Sequence, residues 1–492
     1  MSSTQPNFEE QIDAAIHERL DGTVSSLLEY LRFPTVSVGD GASMGDAAEW
    51  LAQRYRDFGC SEVEVVETST FPGVFAYYDA GSPITVLSYG MYDVRSTGDL
   101  ATWDRDPFDP VVEPFGDFPA VVRGRGAQVP KGPDAAWMLG LEALKEVKGE
   151  LPVNIIFLVE GDEILGSVSY GDLIERYRDR LADVDALVYL RGIESAQKDV
   201  AVRLGYKSFI TFELTASAES WGRGSTTGVA HSALRTLVDS PALRLSQAIT
   251  SLYTEDGEIA ITDWLDHLDP AEVPAADREL VDALLARAEG TDLANFIPAL
   301  GGLGVNKYVG DISGEEVLTK YIYGSALNIQ GFHSGYTGPG TRTFTIPTTA
   351  TARFDARLST TADPQVFLDG LREFLDRTGY SDIEINMLSA YPASRTPIDS
   401  ALMRTFVDLA HDSGVTTTVW PVQAYGGPWA YLGTEYNMPV IFGAGIGYGA
   451  GVGMPNEYFV IDGGGKVNGL PELARFSAQL LDRFAAEHSL KS

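Results

Sequence analysis

The sequence is poor in the side chains that build thiolate and imidazole chemistry. It holds one cysteine, Cys60, so neither an intramolecular disulfide nor a thiolate metal cluster can form. The surrounding FGCSEVEVV reads as a helix end turning into a strand, which favours a buried structural thiol over a nucleophile. The six histidines, at 17, 231, 267, 333, 411 and 488, are scattered, with no HExxH or other paired spacing. Basic residues are scarce too: 36 Lys and Arg stand against 69 Asp and Glu, a net charge of −33. Such acidity argues against nucleic acid and anionic membranes as general partners, while leaving room for a local basic pocket for a carboxylate. No apolar run reaches the length of a membrane span, and MSSTQPNFEEQIDAAI lacks a basic segment followed by an apolar one. The cytoplasm is therefore the expected location. Internal repeats and low-complexity linkers are absent as well.

At 492 residues, with 44% hydrophobic and 21% charged content, the chain is long enough for two or three globular domains. Three nearly continuous apolar runs, ITVLSYG (84–90), VNIIFLVEG (153–161) and DALVYLRG (185–192), read as buried strands. Helical spacing covers 8–32, 45–59 and 133–147, and strands alternating with helices predict an α/β layered domain with a largely parallel sheet. The character changes near Tyr206. A helix over 231–253, a polar helical region over 262–294 and β-rich residues 327–359 with a Gly-Pro turn suggest an inserted α+β domain. The expected boundaries are 1–206 and 393–492 for the two parts of the first domain, with 207–392 inserted between them.

Polar groups leave the carboxyl ends of the apolar runs: Tyr92 and Asp93 after the first, Asp162 and Glu163 after the second, Arg191 after the third. Open α/β sheets bind ligands at such strand ends. Ser167 and Ser169 follow EGDEILG with no His partner in view, so a Ser-His-Asp triad is not expected. GAGIGYGAGVG (443–453) lacks the strand-to-helix setting of a nucleotide loop, and its glycines read as points of close backbone approach.

Taken together and in order, LLEYLRFPTVS, YGMYDV, WDRDPFDPVVE, GRGAQVPKGP, VEGDEILGS, GYTGPGTRTFTIP and MPNEY resemble the M20 metallopeptidases, in particular their carnosinase-like dipeptidase branch. The resemblance runs nearly end to end. It implies a zinc-dependent α/β catalytic domain with a mainly parallel sheet and an inserted ferredoxin-like lid that often forms a homodimer. Carried over residue by residue, the family's metal ligands fall on Met91, Val129, Glu163, Arg191 and Gly453, its base on Asp162 and its lid histidine on Gly222, while Asp93 is retained. Zinc needs three or four N, O or S donors, and of the five ligand positions only Glu163 supplies one that suits it. No dinuclear metal and no other cofactor is expected.

Two of the changes look compensatory. Arg191 is expected to neutralise Asp93, Asp162 and Glu163 and to clamp a carboxylate bidentately. Val129-Pro130 is expected to be cis, standing where the family uses a cis Asp-Asn bond. Asp162 is the expected base, or alternatively a salt-bridge partner of Arg191, with Glu163 and Asp93 orienting. Tyr92, Lys131, His333, Tyr425, Gly427 and Trp429 are candidates for substrate binding. Three functions stay open: metal-independent chemistry on a small amino-acid-derived or peptide-like substrate, a silent binding or dimerisation partner, and a metallohydrolase with unusual ligands.

Overall fold

The three apolar runs form the middle of a six-stranded sheet. In the computed structural model, which describes residues 7–39, 41–261, 272–298, 300–301, 303–338, 340, 344–360 and 362–489, they become β3 (Thr85–Met91), β6 (Asn154–Glu160) and β7 (Ala186–Leu190). Every residue of β6 and β7 is buried, as expected for strands covered on both faces. The order is β1 (Glu62–Val66), β2 (Gly73–Tyr78), β6, β3, β7 and the strand Val440–Ala444. β3 runs parallel to both β6 and β7, and Val440–Ala444 runs parallel to β7. β1 and β2 form an antiparallel edge. A second sheet contains β4 (Val111–Phe115) and β5 (Phe118–Arg123), paired with Tyr458–Asp462.

Helix α1 (Phe8–Leu31) starts at a capping box in which Asn7 and Glu10 satisfy each other's backbone N–H groups. Helix α2 (Met44–Phe58) ends on Gly59, whose φ of 102° is the left-handed cap glycine tolerates best. Helix α3 (Gly132–Lys148) has Pro133 in its first turn.

The chain divides into two compact units: 1–204, 395–420 and 435–492 in the first, and 205–394 with 421–434 in the second. The second follows the strand–helix–strand–strand–helix–strand order of a ferredoxin-like fold. Its antiparallel sheet is ordered Ala326–His333, Thr349–Arg357, Phe209–Ser217, Glu384–Tyr391. Helices Pro241–Ser251 and Pro364–Arg377 share a core with it, including Phe212, Phe354, Leu245 and Phe367.

Two expectations change. The helix foreseen over 231–253 begins only at Pro241, because Ala230–His231 pairs with Thr345–Ile346 first. Residues 421–434, foreseen in the first domain, group with the second unit: Lys207 N–H donates to Gln423 O at 3.1 Å, and Trp429 packs edge-on against Tyr206. Of the polar region 262–294, residues 262–271, with His267, lie outside the described residues, and a helix spans Arg278–Ala288. Pro339, in the expected Gly-Pro turn, also lies outside them. Among the described residues no helix is long and apolar enough to cross a membrane.

Candidate functional site

The parallel register sets Met91 opposite Glu160, and β7 runs along the other side of β3. The carboxyl ends of the three strands therefore deliver Asp93, Asp162, Glu163 and Arg191 to one edge of the first unit.

Asp93 is fully buried. Its Oδ2 accepts from Ser37 Oγ at 2.7 Å and from the Ile164 N–H at 2.9 Å, and its Oδ1 accepts from the Glu163 N–H at 3.1 Å. Ser37 is brought there because Thr35 Oγ1 donates to Tyr92 O at 2.6 Å and Val94 N–H donates to Thr35 O at 2.8 Å. Asp93 thus fastens the FPTVS turn to the turn after β6. Burial, with the nearby Glu163 charge, pushes its carboxyl up to about 7 against the opposing pull of Ser37 and Ile164.

Asp162, the base expected from the sequence, is fully buried and spent on structure. Its Oδ2 accepts from Thr70 Oγ1 at 2.7 Å and Ser169 N–H at 2.9 Å, and its Oδ1 accepts from Ser169 Oγ at 2.8 Å. The bidentate clamp foreseen from Arg191 is replaced by these two hydroxyl residues. Glu163 is the carboxylate of the three that is partly exposed. Arg191 is also partly exposed, and its Nε finds no hydrogen-bond partner among the described residues. Its charge bears on Asp134, in the first turn of α3, whose carboxyl burial raises and Arg191 and Lys131 lower.

Two of the expected substrate contacts are structural. Lys131 is fully buried, and its Nζ donates to Tyr30 O and Phe33 O, each at 3.0 Å. It closes the carbonyl end of α1, where a helix favours a cation. Burial lowers its pKa to about 7. Tyr92 is buried and donates to Pro72 O at 2.6 Å.

Tyr425, Gly427, Trp429 and His333 belong to the second unit. Tyr425 lies 5.8 Å from the Tyr206 ring, and a Cβ on Gly427 would stand 2.3 Å from the Trp429 ring. His333 is exposed at the end of Ala326–His333, opposite Thr351.

The sequence reading missed the buried pair that joins two of its own motifs. Arg125 Nη1 donates to Glu457 Oε2 at 2.7 Å, and Glu457 Oε1 accepts from the N–H groups of Gln128 at 3.0 Å and Val129 at 3.1 Å. GRGA and MPNEY were both recognised, and an Arg in one with a Glu in the other was the available signal. The Val129–Pro130 bond held by this pair is cis, as expected. Gly445, in the glycine-rich run, permits close backbone approach within the protein itself: a Cβ there would stand 2.6 Å from Arg191 O. Cys60 is half-buried, and desolvation pushes its thiol up to about 12, away from a reactive thiolate.

A family profile described as "Peptidase family M20/M25/M40" matches residues 87–483, well over half of the chain. The chain belongs to this family. Human Beta-Ala-His dipeptidase is 28% identical over 277 residues, 56% of this chain and 50% of the relative. The chain thus spans about half the length of that relative. The Cys-Gly metallodipeptidase DUG1 of Saccharomyces cerevisiae is 22% identical over 351 residues, 68% of each chain. Among solved structures, an M20 metallo-carboxypeptidase from Sulfolobus solfataricus shares the fold with a TM-score of 0.76 at 24% identity, covering 94% of this chain and 99% of its own. Human carnosine dipeptidase 1 gives 0.73 at 20% identity, covering 97% and 100%. Both likenesses establish the M20 α/β fold.

The relatives' metal chemistry raises the question of whether this M20 chain could hold such a centre. Among the described residues no three His, Cys, Asp or Glu side chains gather as a metal-holding group. The donor chemistry at the strand ends is unfavourable as well. Met91 is a buried thioether, Arg191 is a fixed cation, and Asp93 is spent on three donors. These residues do not fit a dinuclear zinc centre.

Proposed function

We propose that this chain is an M20-fold enzyme that performs acid/base chemistry, without a dinuclear zinc centre, on a small amino-acid-derived or peptide-like substrate. One observation carries the reading: Asp93 grips the N–H groups of Glu163 and Ile164, fixing a partly exposed carboxylate at the strand ends. Asp93 and Asp162 position the turn, and Glu163 is the general base in this reading. Arg191 supplies a planar cation suited to a substrate carboxylate. A Lewis acid typically contributes several kcal/mol to water attack on an amide. The favoured chemistry is therefore milder: proton abstraction beside a carbonyl, ring opening or closure, transfer of an activated acyl group, or hydrolysis of a labile bond.

The test is turnover of dipeptides, N-acyl amino acids and cyclic amino-acid derivatives by protein treated with chelator. Turnover that survives chelation and falls at least a hundredfold in Glu163→Gln is the expected result. The relatives' printed activities favour a second reading, metal-dependent dipeptide hydrolysis. Turnover that appears only with added zinc or manganese would establish it and sink the first. Binding of these compounds without turnover would leave a silent binding protein.

A homodimer through the second unit and a cytoplasmic location complete the proposal. The strand Ala326–His333 ends its sheet and carries the exposed Ile329 and Phe332, a surface a second copy could cover. Sedimentation velocity of wild-type protein and Phe332→Asp tests the dimer.

A further inference from the structure

Beneath the strand ends, between the sheet and helices α1, α2 and α3, lies a cavity of about 50 Å³. Six aromatic residues line it: Tyr30, Trp50, Tyr55, Tyr89, Trp137 and Tyr189. One carboxylate, Asp134, lines it too. Tyr30 Oη, Trp137 Nε1 and Tyr189 Oη are buried without a hydrogen-bond partner among the described residues. Tyr30 and Tyr189 are 3% exposed and Trp137 7%. The two phenol oxygens can accept from an N–H of an occupant, which would offset their desolvation cost; the Trp137 N–H, a donor only, would gain nothing from a cation.

The chemistry of the wall selects the occupant. Tyr30 stacks on Trp50 with ring centroids 4.7 Å apart, so the wall is built of packed π faces. Tyr30, Tyr55, Tyr189 and Asp134 line the same cavity. A carboxylate only accepts hydrogen bonds, and aromatic faces attract cations. At ~10–15 Å³ per water-sized group, the cavity has room for about four such groups. Ser26, Trp50 and Arg54, all half-buried, form its outer rim.

We propose that this cavity is a binding site for a small organic ammonium ion, a mono- to trimethylated amine head, held by Asp134 within the aromatic cage. Glu163 does not line the cavity, although its charge reaches Tyr89 and Tyr189, and the proposal stands whether or not the chemistry assigned to Glu163 is right. No bond forms or breaks there. The ion exchanges its hydration for the π faces and the carboxylate. Burial holds the Asp134 carboxyl well above its ordinary value against the pull of Arg191 and Lys131, and a bound ammonium adds to that pull toward the charged form.

The test is isothermal titration calorimetry of the full chain with trimethylammonium chloride, with tert-butanol as the neutral isostere. Saturable one-site binding in the millimolar range or tighter is expected, at least tenfold weaker for tert-butanol and for Asp134→Asn. The tert-butanol comparison needs no variant, so a folding failure of Asp134→Asn leaves the proposal open to refutation. Glu163→Gln is expected to bind trimethylammonium as wild type does. Absence of saturable binding, meaning a cavity that holds water only, overturns the proposal. So does equal affinity for tert-butanol, or loss of binding in Glu163→Gln, which would put the cation at the strand ends.

Discussion

Arg125 and Glu457 lie more than three hundred residues apart in sequence, yet form an ion pair at 2.7 Å in which each side chain is 1% exposed. Arg125 also stacks over Trp103 at 4.8 Å, and Glu457 organises the backbone of Gln128 and Val129. The pair closes the loop between β5 and α3. Removing one partner of a buried pair leaves an uncompensated charge, at a cost of about 3–5 kcal/mol. Arg125→Met should therefore lower unfolding free energy by that amount in urea titration, and Arg125→Met/Glu457→Gln should recover part of it. A loss of about 1 kcal/mol or less, the range of a surface pair, would contradict this account.

Asp93 sets a pH dependence of its own. Its folded-state pKa, about 7, lies above the ordinary value of 3.8. The folded protein therefore holds this proton more tightly than the unfolded chain. The contribution is fully present below the unfolded value and is lost as pH rises through about 7. In Asp93→Asn that decline should flatten between pH 4 and 7. The variant should also be less stable by ~1–3 kcal/mol, because an amide cannot accept from all three donors. Unfolding curves across pH check both statements.

Lys131 acts in the adjoining window. Its pKa falls from 10.5 to about 7 on folding. The unfolded chain thus binds the extra proton, and stability should rise with pH between 7 and 10.5. Lys131→Met should abolish that rise. It should also cost about 1–3 kcal/mol near pH 7 by stranding the carbonyls of Tyr30 and Phe33. The observable is the slope of unfolding free energy against pH.

A Cβ on Gly426 would stand 1.8 Å from Lys207 O, a backbone atom with little freedom to move. Gly426→Ala should destabilise the protein by about 1–3 kcal/mol or more. The loss should show in thermal unfolding and in early proteolysis of the second unit, whereas Gly331→Ala, with nothing within 4 Å and no left-handed φ, should show neither.

The strands were readable because burial on both faces writes itself as continuous apolar sequence, and β3, β6 and β7 fall within two residues of the runs that foretold them. The adjacent carboxylates were not readable in the same way. Nothing local distinguishes Asp162 from Glu163. The difference comes from Thr70, ninety-two positions away, and from Ser169, which engage the first and leave the second partly exposed. Lys131 was expected in the cleft from its place in GRGAQVPKGP. The end of α1 that surrounds it exists only once the helix has packed. Asp134 hid as an acidic residue in a helix first turn, where dipole compensation is the ordinary explanation. Its cavity is assembled from six elements, including three helices and three strands, which no single stretch of sequence displays.

The second unit is encoded in two pieces, with 421–434 returning after the rest of it is complete. A truncation that expressed 205–394 alone would omit Trp429 and Gln423, stripping the edge of the Tyr206 ring and taking the carbonyl from Lys207. During synthesis, therefore, the ribosome must deliver more than two further dozen residues beyond the insertion before this unit can finish packing. The first unit, which needs 435–492, is complete in the chain only after the second.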